Sequence, residues 1–200
     1  MDAVNWLEIV PSLALGIGLA ACAGLRAWLP LLLLGGLARW GVIDLSPSFE
    51  FVASTRALIL FGVATVVEIA GDKIPAVDHT LDALSTVLRP AAGSLLAASV
   101  LWQVSDPLTA MALGVAVGAP SALVPHAAKS TLRVVSTSFT GGLANPILSL
   151  IEDALAFVLF VLTVVLPVLV ASLVVLAGFL VARRLLRRSP PPTARAASAP

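Results

Sequence analysis

The chain has 200 residues, 59% of them hydrophobic, with a mean hydropathy of +1.05 and a formal charge of +1. Ordinary globular domains are roughly 45 to 50% apolar, so this composition defines an integral membrane protein, and the near-zero charge without a basic, aromatic-studded patch excludes nucleic acid as a partner. A single cysteine, Cys22, excludes an intrachain disulfide and a cysteine-based zinc site. His79 and His126 are too far apart for a local metal motif, so no metal and no other cofactor is expected.

Residues 9–25 are apolar and rich in small side chains, and the run resumes after Arg26 as far as Arg39. A bilayer core takes about 20 helical residues, so this is one tilted helix or two pieces broken near Arg26 to Pro30, where proline removes a backbone donor. Leu19-Ala20-Ala21-Cys22 resembles a lipoprotein cleavage box. The charges ahead of it, Asp2 and Glu8, are acidic where such a signal needs a basic region, and the stretch reads as ordinary helix. Residues 40–56 form a polar connection whose Trp40, Phe49 and Phe51 suit the membrane interface.

A second span runs from about Ala57 and carries Glu68, Asp72 and Lys73 at its end, closed by Ile74-Pro75. Asp78 is the expected N-cap of a short helix to Leu88, too short to cross and therefore interfacial or re-entrant, with Asp82 and Arg89 as an interfacial pair. Ala91–Val104 is a short third span and Leu108–Val124 a fourth. In the polar stretch that follows, His126, Lys129 and Arg133 share one face if helical. Thr140-Gly141-Gly142 breaks the chain and Asn145-Pro146 opens a new helix, with Ser149, Glu152 and Asp153 in its first turns. Residues 154–181 are long enough to expect a tilted helix kinked at Pro167; a hairpin there is disfavoured because no polar turn residues accompany it. Arg183, Arg184, Arg187 and Arg188 place the C-terminus in the cytoplasm. Residues 189–200, rich in Pro, Ala and Ser, read as a disordered tail after a single membrane domain, 1–188.

Shifting by 98 positions aligns ALGIGLAACAGL, 14–25, with ALGVAVGAPSAL, 112–123, and superposes Gly16, Ala20 and Gly24 on Gly114, Gly118 and Ala122. Such small-residue stripes let membrane helices approach closely. Half-repeats of about 9–104 and 108–186 follow. Three crossings between the copies would invert one half relative to the other, as in many small transporters. The expected fold is all-α: a polytopic helical membrane protein of about five transmembrane helices, or six, with broken or re-entrant helices and an inverted internal repeat.

Three segments, GLRAWLPLLLLGGLARWG (24–41), VVEIAGDKIPAVDHTLDALSTVLRPAAGSLLAA (66–98) and HAAKSTLRVVSTSFTGGLANPILSLIEDALAF (126–157), resemble the bacterial membrane family called domain of unknown function 4126. The E-x3-DKIP-x-VD and LANP-x-LS-x2-ED strings carry the resemblance, while Thr137 to Gly142 depart from the usual proline-containing turn. The resemblance implies a bacterial inner-membrane protein and carries over no catalytic residues.

Arg26, Glu68, Asp72 and Lys73 in the first half sum to zero charge, as do Lys129, Arg133, Glu152 and Asp153 in the second. An unpaired charge at mid-bilayer costs at least about 2.5 to 3.5 kcal/mol, so balanced sets imply pairing. With His126 and Asn145 these residues are the candidate substrate-binding or coupling groups. They suit a small secondary transporter or lipid-carrier flippase for an anionic solute or lipid headgroup, coupled to protons through the acids. The alternative is a non-catalytic membrane scaffold or partner-binding subunit. No hydrolase, metalloprotease or P-loop motif is present, so an enzyme is not expected. The bilayer is the one certain partner, and self-association stays open.

Overall fold

The computed structural model describes residues 6–73 and 75–188. Among these, seven α-helices and one 3₁₀ helix make an all-helical bundle: α1 Trp6–Leu25, α2 Trp28–Arg39, the 3₁₀ helix Pro47–Ala53, α3 Thr55–Gly71, α4 Pro75–Ser99, α5 Pro107–Thr140, α6 Asn145–Val165 and α7 Pro167–Arg188. Three of them, α5, α6 and α7, are individually long and apolar enough to cross a membrane. A fourth candidate arises if the 3₁₀ helix and α3, bent by 57°, count as one span. That count sits just below the expected five, because α1 and α2 are shorter apolar pieces.

Pro30 explains the break between α1 and α2. It has no N–H to offer the Arg26 carbonyl, but as the third residue of α2 it sits where donors have no intrahelical acceptor anyway. The chain reverses there. Trp28 stacks near Phe61 with ring centroids 6.2 Å apart. A Cβ on Gly35 would meet the Val52 carbonyl and Leu58 at the other end of α3. Thus α2 and α3 run antiparallel. Of the three aromatic residues expected at the interface, Trp40 and Phe51 are exposed and Phe49 is buried beneath the 3₁₀ helix against Ala98 and Ala110.

The expected interfacial helix and short third span are one helix. α4 continues through Pro90, and Asp78 lies within its first turn rather than at its cap. The Asp78 and Asp82 side chains lie outside the described residues. Close packing holds this proline-containing helix: α4 is gripped on two sides by the small-residue stripes. Gly16 packs on Ala97, and Gly93 faces both Ala20 and Ala122. Gly114 faces Ser94 and Ala98, and Gly118 faces Ala97. At Gly24 a Cβ would collide with the Ala122 carbonyl.

These pairings also fix direction. α1 from Gly16 to Gly24 and α5 from Gly114 to Ala122 both run against α4, so the two copies of the stripe are parallel. The expected inversion does not hold for them: the reversal at Arg26 adds α2 as a further traverse, making the number of steps between the copies even.

The polar stretch after Val124 is the continuation of α5, whose 34 residues rise about 51 Å. Asp106 caps its start, accepting from the Thr109 hydroxyl at 2.6 Å and its backbone N–H at 2.7 Å, bonds that hold the carboxyl below the usual carboxylate range. Gly141 and Gly142, at φ 61° and 89°, end it in a left-handed turn open to glycine.

α6 returns antiparallel to α1, with Ser149 beside Arg26 and Thr163 against Gly18. The single kinked helix expected over 154–181 is instead a hairpin. Leu166 leaves helical geometry at φ −133°, ψ 59°, and Gly178 packs on Val124, level with Leu159 and Leu162 of α6. No polar turn residue is needed, because the Leu166 N–H bonds the Leu162 carbonyl and the Leu166 carbonyl accepts from Val170. Pro167 begins α7 without a donor to satisfy. The start of α1 and the end of α7 therefore lie at opposite ends of the bundle.

Candidate functional site: a buried ion network at a helix break

The break between α1 and α2 leaves carbonyls at the end of one helix and N–H groups at the start of the next inside the protein, where each needs a partner. Glu68, on the inner face of α3, accepts from the backbone N–H groups of Ala27 at 3.1 Å and Trp28 at 3.3 Å. Arg89 of α4, with no exposed surface, donates to the Gly24 carbonyl at 3.1 Å and lies 3.8 Å from Glu68. An anion faces the positive end of α2 and a cation the negative end of α1, each complementing its helix dipole. His126 Nδ1 of α5 lies 3.0 Å from the same guanidinium.

One turn beyond Glu68, Asp72 is the meeting point of three cations through its Oδ2: Arg26, Lys129 at 3.4 Å and Arg133 at 3.0 Å. Arg133 also forks onto Glu152 through Nε at 3.2 Å and its terminal nitrogen at 2.9 Å. Lys129 reaches Glu152 at 2.8 Å. Arg26 closes the ring on α6, lying 2.6 Å from Asp153 and donating to the Ser149 hydroxyl at 2.9 Å. The heptad-like spacing of His126, Lys129 and Arg133 on a continuous α5 puts all three inside, as their burial shows. Two arginines and a lysine around shared carboxylates leave each buried charge with an opposite neighbour, the condition for tolerating ions in a low-dielectric interior.

The structure thus brings together Arg26, Glu68, Asp72, His126, Lys129, Arg133, Glu152 and Asp153. Lys73 lies at the rim: its side chain is 37% exposed, bonds the Ile69 carbonyl at 3.3 Å and approaches Asp153 at 3.9 Å. Asn145 stands apart from the ions. It accepts from Ser136 at 3.0 Å and donates to Thr137 at 3.2 Å, pinning the start of α6 to the end of α5. Arg89 is the residue the sequence reading misplaced. Expected there in an interfacial pair with Asp82, whose side chain lies outside the described residues, Arg89 is buried and links Glu68, the α1 terminus and His126. Its signal was an arginine directly before Pro90, inside a run apolar enough to be buried.

Among the described residues, four buried cations, Arg26, Arg89, Lys129 and Arg133, meet three buried carboxylates, Glu68, Asp72 and Glu152, and the half-buried Asp153, and these eight formal charges cancel, with Lys73 at the rim beside Asp153. Among the described residues no group of three or more His, Cys, Asp or Glu is arranged to hold a metal ion. Glu68 also borders a side pocket of about 200 Å³ between α2, α3 and α4, lined by Trp28, Leu60, Val63, Val67, Ser85 and Leu88.

Fold and site together define a polytopic helical membrane protein built around a buried network of paired ions. The sequence pattern of the family described as Domain of unknown function (DUF4126) matches residues 13–188, and the chain belongs to that family. No curated protein and no solved structure matches it.

Proposed function

We propose that the protein is a small secondary transporter for an anionic substrate, coupled to protons through the acids of the buried network, and not an enzyme. The observation that carries this reading is the helix broken inside the bundle, with Glu68 seated as an anion on the amides of Ala27 and Trp28 beside Arg89. Broken helices whose N-terminal ends receive anions are a recurrent way for transporters to build a substrate site. The flanking Asp72–Lys129–Arg133–Glu152 cluster supplies acids whose protonation changes the charge that a bound anion would meet. The setting is the cytoplasmic membrane of a bacterium. The arginines at the end of α7 favour a cytoplasmic position for that end, so the rim at Lys73 and Asp153 faces the cytoplasm and the start of α1 faces outward.

A specific observation favours a second reading. Each carboxylate of the network already has a cationic partner, as in a scaffold whose ions only fix helix register. Proteoliposomes with a trapped pH indicator, given a panel of organic carboxylates, phosphates and sulfonates under a pH gradient, separate the two. The transporter reading expects saturable, proton-carrying flux of at least one anion, reduced about tenfold or stripped of its pH dependence in Glu68→Gln and Glu152→Gln. Wild-type flux and pH dependence in both variants would remove the coupling role. Folded wild-type protein that moves none of these anions, with variants that fail to assemble, would establish the scaffold.

A further inference from the structure

Among the four carboxylates described in the network, Glu68 has a distinct setting. Asp72 and Glu152 are each held by two or more cations at 3.4 Å or less, and Asp153 by Arg26 at 2.6 Å. Glu68 instead rests on two neutral amides, with one arginine 3.8 Å away, and borders a pocket. That pocket is open sideways. Leu60, Val63 and Val67 are 56 to 60% exposed on the outer face of α3, and Leu88 of α4 is 36% exposed, so its mouth meets the hydrocarbon of the bilayer. Its walls are apolar and its floor polar, the division of an amphipathic molecule lying with its headgroup inward.

Resting on the transporter reading, we infer that the substrate is a membrane-resident lipid anion that enters between α3 and α4 and takes the place of the Glu68 carboxylate. Its oxyanion headgroup accepts the Ala27 and Trp28 N–H groups and faces Arg89, while its chain lies along Leu60, Val63 and Leu88. Among the described residues, the four cations and four carboxylates of the network cancel when Glu68 is ionised. Adding an anion alone would leave a buried net negative charge, and adding a proton alone a buried net positive one. Charge is conserved only if the displaced Glu68 carboxylate takes up one proton as the lipid anion binds. Among the described residues, the groups facing Glu68 are the Ala27 and Trp28 amides at the start of α2 and Arg89 of α4, with Ser85 of α4 lining the same pocket, His126 of α5 behind Arg89 and Asp72 one turn on along α3, itself covered by Arg26, Lys129 and Arg133.

Trp28 forms part of the pocket wall and reports its occupancy. The variant with Trp6, Trp40 and Trp102 changed to Phe keeps Trp28 as the sole tryptophan. In nanodiscs of phosphatidylcholine it would be titrated with an ω-bromoalkyl sulfonate, whose headgroup carries no titratable proton, or with the uncharged bromoalkyl alcohol of the same chain. The sulfonate is expected to quench Trp28 at least tenfold more effectively than the alcohol, and to gain about tenfold in apparent affinity for each unit the pH falls. Glu68→Gln should bind it with that pH dependence gone. Equal quenching by sulfonate and alcohol overturns the inference, as does a pH-independent wild type. Release of the bound sulfonate by aqueous methanesulfonate at matching concentration shows that the site takes a free anion and overturns the lipid assignment. If Glu68→Gln does not fold, the wild-type pH series and the alcohol comparison decide the matter. Quenching without proton-coupled flux would sink the transporter reading and leave the site, whereas flux of soluble anions without quenching would sink the site alone.

Discussion

Arg133 and Lys73 are both cations beside a carboxylate, yet their surroundings predict opposite outcomes on removal. Arg133 is buried, forks onto Glu152 and bonds Asp72, so Arg133→Gln strands buried charge and should cost about 3 to 5 kcal/mol. Lys73 is partly exposed and 3.9 Å from Asp153, and Lys73→Ala should change stability by about 0 to 1 kcal/mol. Denaturant unfolding in one detergent checks both. An Arg133→Gln effect as small as that of Lys73→Ala would mean that the network is wetter than its burial indicates. The candidate residues were legible in the sequence because ionisable groups inside apolar runs must find partners, and the zero charge of each half pointed to pairing. Some partners lie within a half, Arg26 with Asp72 and Lys129 and Arg133 with Glu152, but others cross the halves, Asp72 with Lys129 and Arg133, Arg26 with Asp153. Composition could not supply that, since it depends on how α3 and α6 are placed around α5.

At the scale of elements, glycine positions separate contact from mere composition. A Cβ at Gly24 meets the Ala122 carbonyl, so Gly24→Val must push α1 from α5 at the level of Arg89 and lower stability markedly. Gly36 has nothing within 4 Å, and Gly36→Ala should stabilise α2 by about 0.4 to 1 kcal/mol through lost freedom of the unfolded chain. Melting temperatures of the two variants in detergent test the contrast, and a tolerated Gly24→Val would refute the close approach. The small-residue stripes were readable at their 98-residue offset, because only spacing and size define them. Their parallel course was not readable. It hangs on whether Arg26–Pro30 kinks a helix or reverses it, and Pro30 permits both. Pro90 misled in the other direction: a proline that would end a solvent-exposed helix is carried within α4, whose Gly93 packs between Ala20 of α1 and Ala122 of α5.

For the whole molecule, the turn at Leu166 sets the topology. If α7 doubles back, Val124 and Gly178 are neighbours; if α6 and α7 made one kinked span, they would be more than a helix-turn apart along the bundle. In a Cys22→Ala background, Val124→Cys with Gly178→Cys should form an oxidised crosslink in membranes, whereas Val124→Cys with Leu185→Cys, some seven residues further on, should not. Absence of the Val124–Gly178 crosslink would restore the kinked helix. Sequence reasoning disfavoured the hairpin by asking for polar turn residues, a rule drawn from turns in water. Here two backbone hydrogen bonds and a helix-starting proline satisfy the turn without them.

In the proposed mechanism the ion network keeps its charge balance by admitting a proton together with an anion. Proton uptake on binding of an alkyl sulfonate, followed with a pH indicator in weakly buffered nanodiscs, measures this directly. The wild type should take up about one proton per sulfonate bound and Glu68→Gln none while still binding. Sulfonate binding by the wild type without proton uptake, or equal uptake by both proteins, would contradict it.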